Sequence, residues 1–321
     1  MKYLVTGGAG YLGSHLVYEL LAQDNEVIIF DNYSGNLKID FPNSVTQIHG
    51  SIDQKSDIES LNDFSNIDGV FHLAAKKSAS ESDKFPETYR KVNVEGTKNL
   101  LDYCSRRSIL NFAFTSSAAV YGAINAPDRI IETDKIEPIN QYGKTKKDGE
   151  FLVLDWGKSN GNKSVSLRLF NLAGGRSIKF FDKNGENVLP VIMRCLKESR
   201  VFQIYGIDLK TPDGSCVRDY VHVTDVVTAQ IKAMQYLEST NSRSGEVFNI
   251  SSGLGISVKQ LVEHVSKATN QTLMWEAKNK RKNDPEISVG NSEKAKNVLG
   301  WYTEKTINNI IIDTIAAYGF C

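Results

Sequence analysis

The sequence predicts an α/β fold: a doubly wound parallel sheet with helices on both faces, followed by a smaller C-terminal α/β domain. Three observations carry that expectation. Short apolar runs alternate with stretches of 3.6-residue periodicity through the first half, the pattern of βαβ units. A glycine-rich turn follows the first run directly and opens the first helical stretch. After about residue 175 the rhythm breaks into loops rich in Gly, Asn, Asp and Lys ("GGRSIKFFDKNGEN", "IDLKTPDGSCVRD") between shorter elements.

The runs "YLVT" (3–6), "EVIIF" (26–30), "VTQIH" (45–49), "GVFHLA" (69–74), "NFAFTS" (111–116) and "SVSLRL" (164–169) read as strands. "YLGSHLVYELLAQ" and "TYRKVNVEGTKNLLDYCSRR" read as helices between them. The expected division is a first domain over 1–175 and a second over 176–321, with the chain near 217–250 returning to the first. The sequence shows no repeat, low-complexity tract or long linker, so the two parts are expected to pack closely.

Composition narrows the function classes. The chain has 321 residues, enough for a sizeable core, and 38 basic residues balance 38 acidic ones. That zero net charge gives no electrostatic footprint for nucleic acid or an anionic membrane. Cys104, Cys195, Cys216 and Cys321 are scattered and read as free thiols of a reducing compartment. His15, His49, His72, His222 and His264 show no metal-ligand spacing, so no metal is expected. "MKYLVTGG" begins a strand at once, and no apolar run approaches the ~20 residues of a membrane span. The expected location is the cytoplasm.

In "LVTGGAGYLGSHL", Gly7, Gly10 and Gly13 form G-x-x-G-x-x-G between strand and helix. Missing side chains let the backbone turn tightly and approach a pyrophosphate seated on the helix N-terminus. The second strand ends in "IIFDN", with Asp31 eighteen residues after Gly13. A carboxylate there accepts from both adenosine ribose hydroxyls and repels a 2′-phosphate, which favours NAD over NADP. The first domain is therefore expected to be a Rossmann-like NAD-binding unit.

The stretch "QYGKTKK" sets Tyr142 four residues before Lys146, on one face of a helix. A plain solvated helix face is one reading. The other is catalytic: a free phenol ionises near pH ~10, and a fixed cation beside it favours the phenolate and makes it a usable base.

Six motifs of the first half, TGGAGYLGSH, DNYSGN, HLAAKKSASES, NVEGTKNLL, FTSSAAVYG and YGKTK, resemble the extended short-chain dehydrogenase/reductase superfamily. RLFNLAGG, ENVLPVIMR, IYGIDLKTPDGSCVRDYVHVTDV, VFNISSG, RKNDPEISVGNSEKA and LGW are similar to the UDP-glucose/UDP-galactose 4-epimerase family, and the block from Tyr205 to Val223 is the most specific. The resemblance implies NAD-dependent inversion at C4 of a UDP-hexose through a 4-keto sugar. It places Tyr142, Lys146 and Ser117 on the catalytic trio. It assigns Gly7, Gly10, Tyr11, Leu12, Gly13, Asp31, Asn32, Ser34, Gly35, Leu73, Ala74, Ala75, Lys77, Asn93 and Ser116 to the cofactor's surroundings, with Tyr142 and Lys146 reaching it too. The doubled Lys76-Lys77 leaves that register open by one. Asn171, Asn187, Val188, Gln203, Tyr205 and Tyr220 would line the substrate region with Lys77, Ser117 and Tyr142. Asp284 would accept from the uridine ribose. Arg218 and Arg281, in R-D-Y and R-x-x-D, suit bidentate contact with the diphosphate.

Three departures matter. "HGSID" has Ser51 where the family places an Asp against adenine, so adenine would rest on Ile52 packing or on Asp53. R-x-G-D reads R-K-N-D, with Asn283 tolerating the turn. Ser288 stands where some members carry a bulky tyrosine beside the sugar, which would enlarge the pocket and admit UDP-GlcNAc and UDP-GalNAc.

Alternatives are a 4,6-dehydratase, a UDP-glucuronate decarboxylase and a non-catalytic NAD-sensing protein. Ser117 is followed by Ala118 and Ala119, which cannot move protons as a dehydratase's acidic pair does. In the family, the helix of Tyr142 and the one near 87–105 pair across a two-fold axis. Gly149, costing ~1 kcal/mol in a helix interior, would then mark close helix approach in a homodimer.

Overall fold

The structure, a computed structural model, describes residues 1–35, 39–123, 129–159, 161–175, 180–181, 185–239, 245–281 and 284–320. Its elements run β1 (Lys2–Thr6), α1 (Tyr11–Ala22), β2 (Glu26–Asp31), β3 (Thr46–His49), α2 (Lys55–Glu59), β4 (Gly69–His72), α3 (Ala79–Ser82) and α4 (Pro86–Arg90). There follow α5 (Gly96–Arg106), β5 (Asn111–Ser117), α6 (Gln141–Gly157), β6 (Lys163–Leu169), β7 (Asn171–Ala173), α7 (Val188–Lys197), β8 (Phe202–Tyr205) and β9 (Val217–His222). The last are α8 (Val223–Ser239), β10 (Glu246–Ile250), β11 (Gly255–Ser257), α9 (Val258–Thr269), β12 (Trp275–Lys278), β13 (Ile287–Ser288), α10 (Glu293–Leu299) and α11 (Ile307–Tyr318).

Seven parallel strands form one sheet in the order β10-β6-β5-β4-β1-β2-β3. The continuous apolar runs follow from burial on both faces, because successive side chains point to opposite sides. Tyr3, Val5, Ile29, Phe71, Ala113 and Val165 enter one core, with α1 and α8 packed on that side. Leu4, Ile28, Phe30, Val70, Phe112 and Phe114 enter the other, beneath α5 and α6. A third core, with Leu189, Ile192, Phe202, Leu261, Val265 and Ile310, joins α7, α9 and α11 in the C-terminal half. Around it, β9 pairs with β7, β11 and β13, and β12 pairs with β8.

The single helix expected near 87–105 is α4 and α5 joined by one widened, π-type turn over Lys91–Glu95. Such turns displace a side chain from the regular ladder, and here the buried residue of the turn is Asn93.

Gly149 has a reason other than the expected contact between subunits. A Cβ there would meet the Phe114 ring at 3.1 Å and the Asn93 carbonyl at 3.4 Å. It lets α6 lie close on its own sheet and on the widened turn.

A buried polar network fixes the same helix. The Arg168 guanidinium on β6 meets Glu150 of α6 at 2.5 Å and donates to the Tyr121 hydroxyl at 2.7 Å and the Glu132 carbonyl at 3.1 Å. Ser166 donates to Glu150, and Tyr121 donates to Asn249 of β10 at 2.7 Å. Arg168 and Glu150 are almost fully buried, so removing one partner strands the other charge. Arg168→Leu is expected to lower unfolding free energy by ~3–5 kcal/mol in urea titration, with much of the loss recovered in the Glu150→Leu/Arg168→Leu double variant. A loss under ~1 kcal/mol would show that the pair carries little.

Candidate active site

All seven parallel strands deliver their carboxyl ends to one edge, and the strand order reverses between β1 and β4. That is where open α/β sheets hold ligands. Gly7, at the end of β1, has φ +72°, and a Cβ there would sit 2.7 Å from the amide nitrogen of Ala74 beyond β4. A Cβ on Gly13 would strike the Gly7 carbonyl, so α1 starts flush against the turn, with Leu12 buried beneath it. Gly10 is the N-cap of α1, without a side-chain cap and with no acid in the first turn. The exposed amides and helix dipole are thus left for an anion.

Asp31 takes the Ala9 amide on one oxygen at 2.9 Å and the Tyr33 amide on the other at 2.8 Å. This fixes the carboxylate beside the glycine turn and leaves lone pairs for ribose hydroxyls. Asn32 accepts the Ser34 amide at 3.1 Å in an exposed loop that also holds Gly35. Ser116 Oγ is buried without a hydrogen-bond partner among the described residues. The compact glycine turn, the uncapped helix start, Asp31 and this orphaned hydroxyl fit a dinucleotide.

The adenine expectations change. Ile52 is 3 % exposed, and Gly96 exists because a Cβ there would meet the Ile52 side chain at 2.8 Å. Its side chain packs in the core against α5. The Ser51 hydroxyl is given to Asp53, whose carboxylate lies 3.2 Å from Lys91. Against the upward push of burial, these partners hold Asp53 below the ordinary carboxylate range.

Ser117 ends β5, and its Oγ accepts the Ala119 amide at 3.2 Å. Every early amide of α6 is taken: Gln141 N–H by Asp83, Tyr142 N–H by Ser82 Oγ at 2.9 Å, and Gly143 N–H by the N-cap Asn140 at 2.8 Å. Lys146 is buried, with Nζ donating to the Thr115 carbonyl at 2.7 Å and lying 5.0 Å from the Phe114 ring centre. Asn93 donates to the Lys76 carbonyl at 2.9 Å and to Thr145 Oγ1 at 3.0 Å, and accepts the Lys76 amide at 2.8 Å. It thereby ties the segment Leu73–Lys76 to α6. The Lys76 ammonium is turned toward Glu81 and the Tyr89 ring, while Lys77 is exposed.

The electrostatics correct one expectation. Burial pushes the Tyr142 phenol above its ordinary value, and hydrogen bonding with Ser117, not the charge of Lys146, opposes that rise. Burial brings Lys146 itself down to about 8. The ammonium is anchored on Thr115, in a dry setting where desolvation outweighs the attraction the i, i+4 spacing suggested. His72, bonded through both ring nitrogens to Thr6 and Thr97, is held neutral, brought to about 3 by burial and then by the Lys146 charge.

A cleft of about 870 Å³ opens beside this edge. Its lining includes Tyr11, Asn171, Asn187, Val188, Gln203, Tyr205, Arg218, Tyr220, Arg281 and Asp284, with Asn171 and Tyr220 paired across β7 and β9. Ser117, Tyr142 and Lys146 are not among its lining residues; Ser117 is in register with Leu169, two residues before the lining residue Asn171. Arg218 meets Asp284 at 2.5 Å, and the Arg281 guanidinium stacks 4.1 Å from the Tyr205 ring centre. Between Arg218 and Tyr220, the Asp219 carboxylate points the other way and receives the Ser252, Gly253 and Gly290 amides. Burial raises Asp219, and those bonds oppose the rise. They hold β9 so that its alternate side chains face the cleft.

Besides Ser117 and Tyr142, two further residues assigned to the substrate lie outside the lining. Ser288 is not itself among the lining residues, but it pairs in the β13–β9 register with Arg218, whose side chain faces the cleft. Lys77 also lies outside the lining. Asn283 and Cys321 lie outside the described residues. Sequence reading missed Phe181, Glu186, Arg194 and Arg200, which line the cleft, as well as the lining role of Cys195 and Cys216. It also missed Asn140, although a helix-capping residue just before "QYGKTKK" is a legible signal. Among the described residues no cluster could hold a metal ion, and no helix is long and apolar enough to cross a membrane.

The model of the NAD dependent epimerase/dehydratase family matches residues 3–251. A UDP-glucose 4-epimerase of Corynebacterium glutamicum is 34% identical over 99% of this chain and 95% of its own length. The solved UDP-glucose 4-epimerase of Bifidobacterium longum, in complex with NAD+ and UDP, superposes with TM-score 0.90 at 28% identity, covering 99% of this chain and 98% of that one. A UDP-Glc/GlcNAc 4-epimerase from Campylobacter jejuni has TM-score 0.84 at 28% identity, covering 99% of this chain and 98% of that one.

The buried ammonium gives a signed pH dependence. Folding lowers the Lys146 value to about 8, so between that pH and about 10.4 the unfolded chain holds the proton more tightly. Stability at this residue therefore rises with pH across that window and is flat below it. Relative to Lys146→Met, the parent is expected to gain ~3 kcal/mol of unfolding free energy between about pH 7.5 and 10.5. A difference independent of pH would mean the ammonium is not desolvated.

Proposed function

The chain belongs to the NAD dependent epimerase/dehydratase family, and from that premise we infer that it is a UDP-hexose 4-epimerase, inverting C4 of UDP-glucose or UDP-galactose. The observation that carries this reading is the convergence of Ser117, Tyr142 and Lys146 at the carboxyl end of β5, beside a cleft with two arginines. NAD, when bound, supplies the group that accepts a hydride from C4 and returns it. Tyr142, as the phenolate that the positive charge of bound NAD would favour against the upward push of burial, takes the proton from the sugar O4 as that carbon becomes a carbonyl, and gives it back when the alcohol re-forms. Ser117 donates to the same oxygen. Lys146, anchored on Thr115, supplies a cation near the phenol without being the main source of its acidity.

Inversion requires the hexose to turn while the nucleotide stays fixed. Arg218, braced by Asp284, and Arg281, stacked on Tyr205, are seated to hold a diphosphate. Asn171, Asn187 and Tyr220 line the part of the cleft assigned to the hexose. The absence of an acid–base pair after Ser117 weighs against dehydration. Acceptance of N-acetylhexosamines is supported by the likeness to the Campylobacter jejuni enzyme and by the small Ser288 paired beside the cleft-lining Arg218.

We assign 1–175 to NAD binding and 176–321 to the UDP-sugar, with the chain near 217–250 belonging to the first unit. The pairing of β10 with β6 and the packing of α8 on the sheet support that assignment. A homodimer is supported by Phe85 and Phe151, 56 % and 50 % exposed beside α4 and on α6. Buried free Cys104, Cys195 and Cys216 suit the cytoplasm.

Purified protein supplied with NAD and UDP-galactose is expected to form UDP-glucose. Tyr142→Phe should lower kcat by about 10²–10⁴-fold with its circular dichroism unchanged. Turnover within about threefold of the parent would remove the phenol from the chemistry.

A further inference from the structure

Glu186 enters the cleft from the residue before the N-cap of α7. Its Oε2 accepts from Ser78 Oγ at 3.0 Å, a bond between residues 108 apart in sequence. Ser78 is the N-cap of α3. At the other end of that short helix, Ser82 Oγ accepts the amide of Tyr142 at 2.9 Å. The carboxylate is therefore tied through one helical turn to the start of the helix that bears the catalytic phenol. Its partner is a neutral hydroxyl, while Arg194, a cation that also lines the cleft, donates to the neighbouring Gly185 carbonyl at 3.0 Å. The cleft's basic groups that brace a diphosphate, Arg218 and Arg281, are seated instead with Asp284 and Tyr205.

We propose that Glu186 is a specificity-determining residue: its carboxylate admits neutral hexoses, whose hydroxyls can donate to it, and disfavours UDP-uronates, whose C6 carboxylate brings a like charge to the same end of the cleft. This deepens the epimerase reading and rests on it. Discrimination by a single charge is a difference of affinities in which repulsion of the wrong ligand does the work. Glu186 is exposed, so the repulsion is partly screened and must weaken with salt.

The test measures calorimetric binding of UDP-glucose and UDP-glucuronate to the NAD-loaded protein and to Glu186→Gln, alongside UDP-glucose turnover. The parent is expected to prefer UDP-glucose by about tenfold or more at low salt, as for one like charge at an effective dielectric near 20. Glu186→Gln should shrink that ratio at least ~fivefold, and about 0.5 M salt should shrink it in the parent but hardly in the variant. Ser78→Ala, which frees the carboxylate but keeps its charge, should retain most of the preference. An equal ratio in parent and Glu186→Gln, or a parent that binds the uronate as tightly as UDP-glucose, overturns the proposal. Should the expected binding pattern appear without any UDP-glucose turnover, the specificity assignment stands and the epimerase reading fails.

Discussion

The whole site depends on how closely α6 lies against the sheet. Gly149 and Gly157 face it and Gly143 faces the turn after β5, where a Cβ would meet the Phe114 ring, the Ser164 side chain and the Ala119 carbonyl respectively. Three missing methyl groups set the depth at which Tyr142 and Lys146 reach the end of β5. The buried Glu150–Arg168 pair fixes the same helix along its middle, and Asn140, Ser82 and Asp83 fix its first turn. Helix propensity alone would put alanine at such positions. The chain instead accepts weaker local preference in exchange for close packing.

That closeness makes the site dry, and dryness decides its electrostatics. Three neighbouring groups move in the direction that favours neutrality: the phenol of Tyr142 upward, Lys146 to about 8 and His72 to about 3. Under such conditions each fixed hydrogen bond counts for more than it would in water. Ser117 hydrogen-bonds the phenol, and the Thr115 carbonyl holds the ammonium in place. The two arginines proposed to hold a diphosphate are different in kind, already oriented by a carboxylate and an aromatic ring.

Much of the first half was legible because its signals are local. Apolar runs bounded by turn residues located the six strands, and the glycine triplet with Asp31 located the switch point. Tyr142 and Lys146 were legible from spacing. Their acidity was not, because it depends on burial between β5 and α6, which no spacing reveals. Gly149 drew attention as a poor helix former, but its neighbours, Phe114 and Asn93, come from distant stretches of chain. The strands β7, β11 and β13 have two or three residues each, too few for a period to show. Ser288 is assigned to the sugar pocket from its place in a motif, and its pairing with the cleft-lining Arg218 across β13 and β9 is not visible in the sequence. Glu186 had no sequence signal, since its meaning lies in a hydrogen bond across 108 residues.

The central claim is that one sugar carbon is oxidised and reduced in place, with the proton handled at its oxygen by Tyr142. UDP-galactose deuterated at C4 tests this most directly. Nuclear magnetic resonance of the UDP-glucose formed in ordinary water should find the deuterium still at C4, as transfer away and back without exchange requires. Loss of the label to solvent would contradict the account, because it would mean that the C4 hydrogen leaves as a proton.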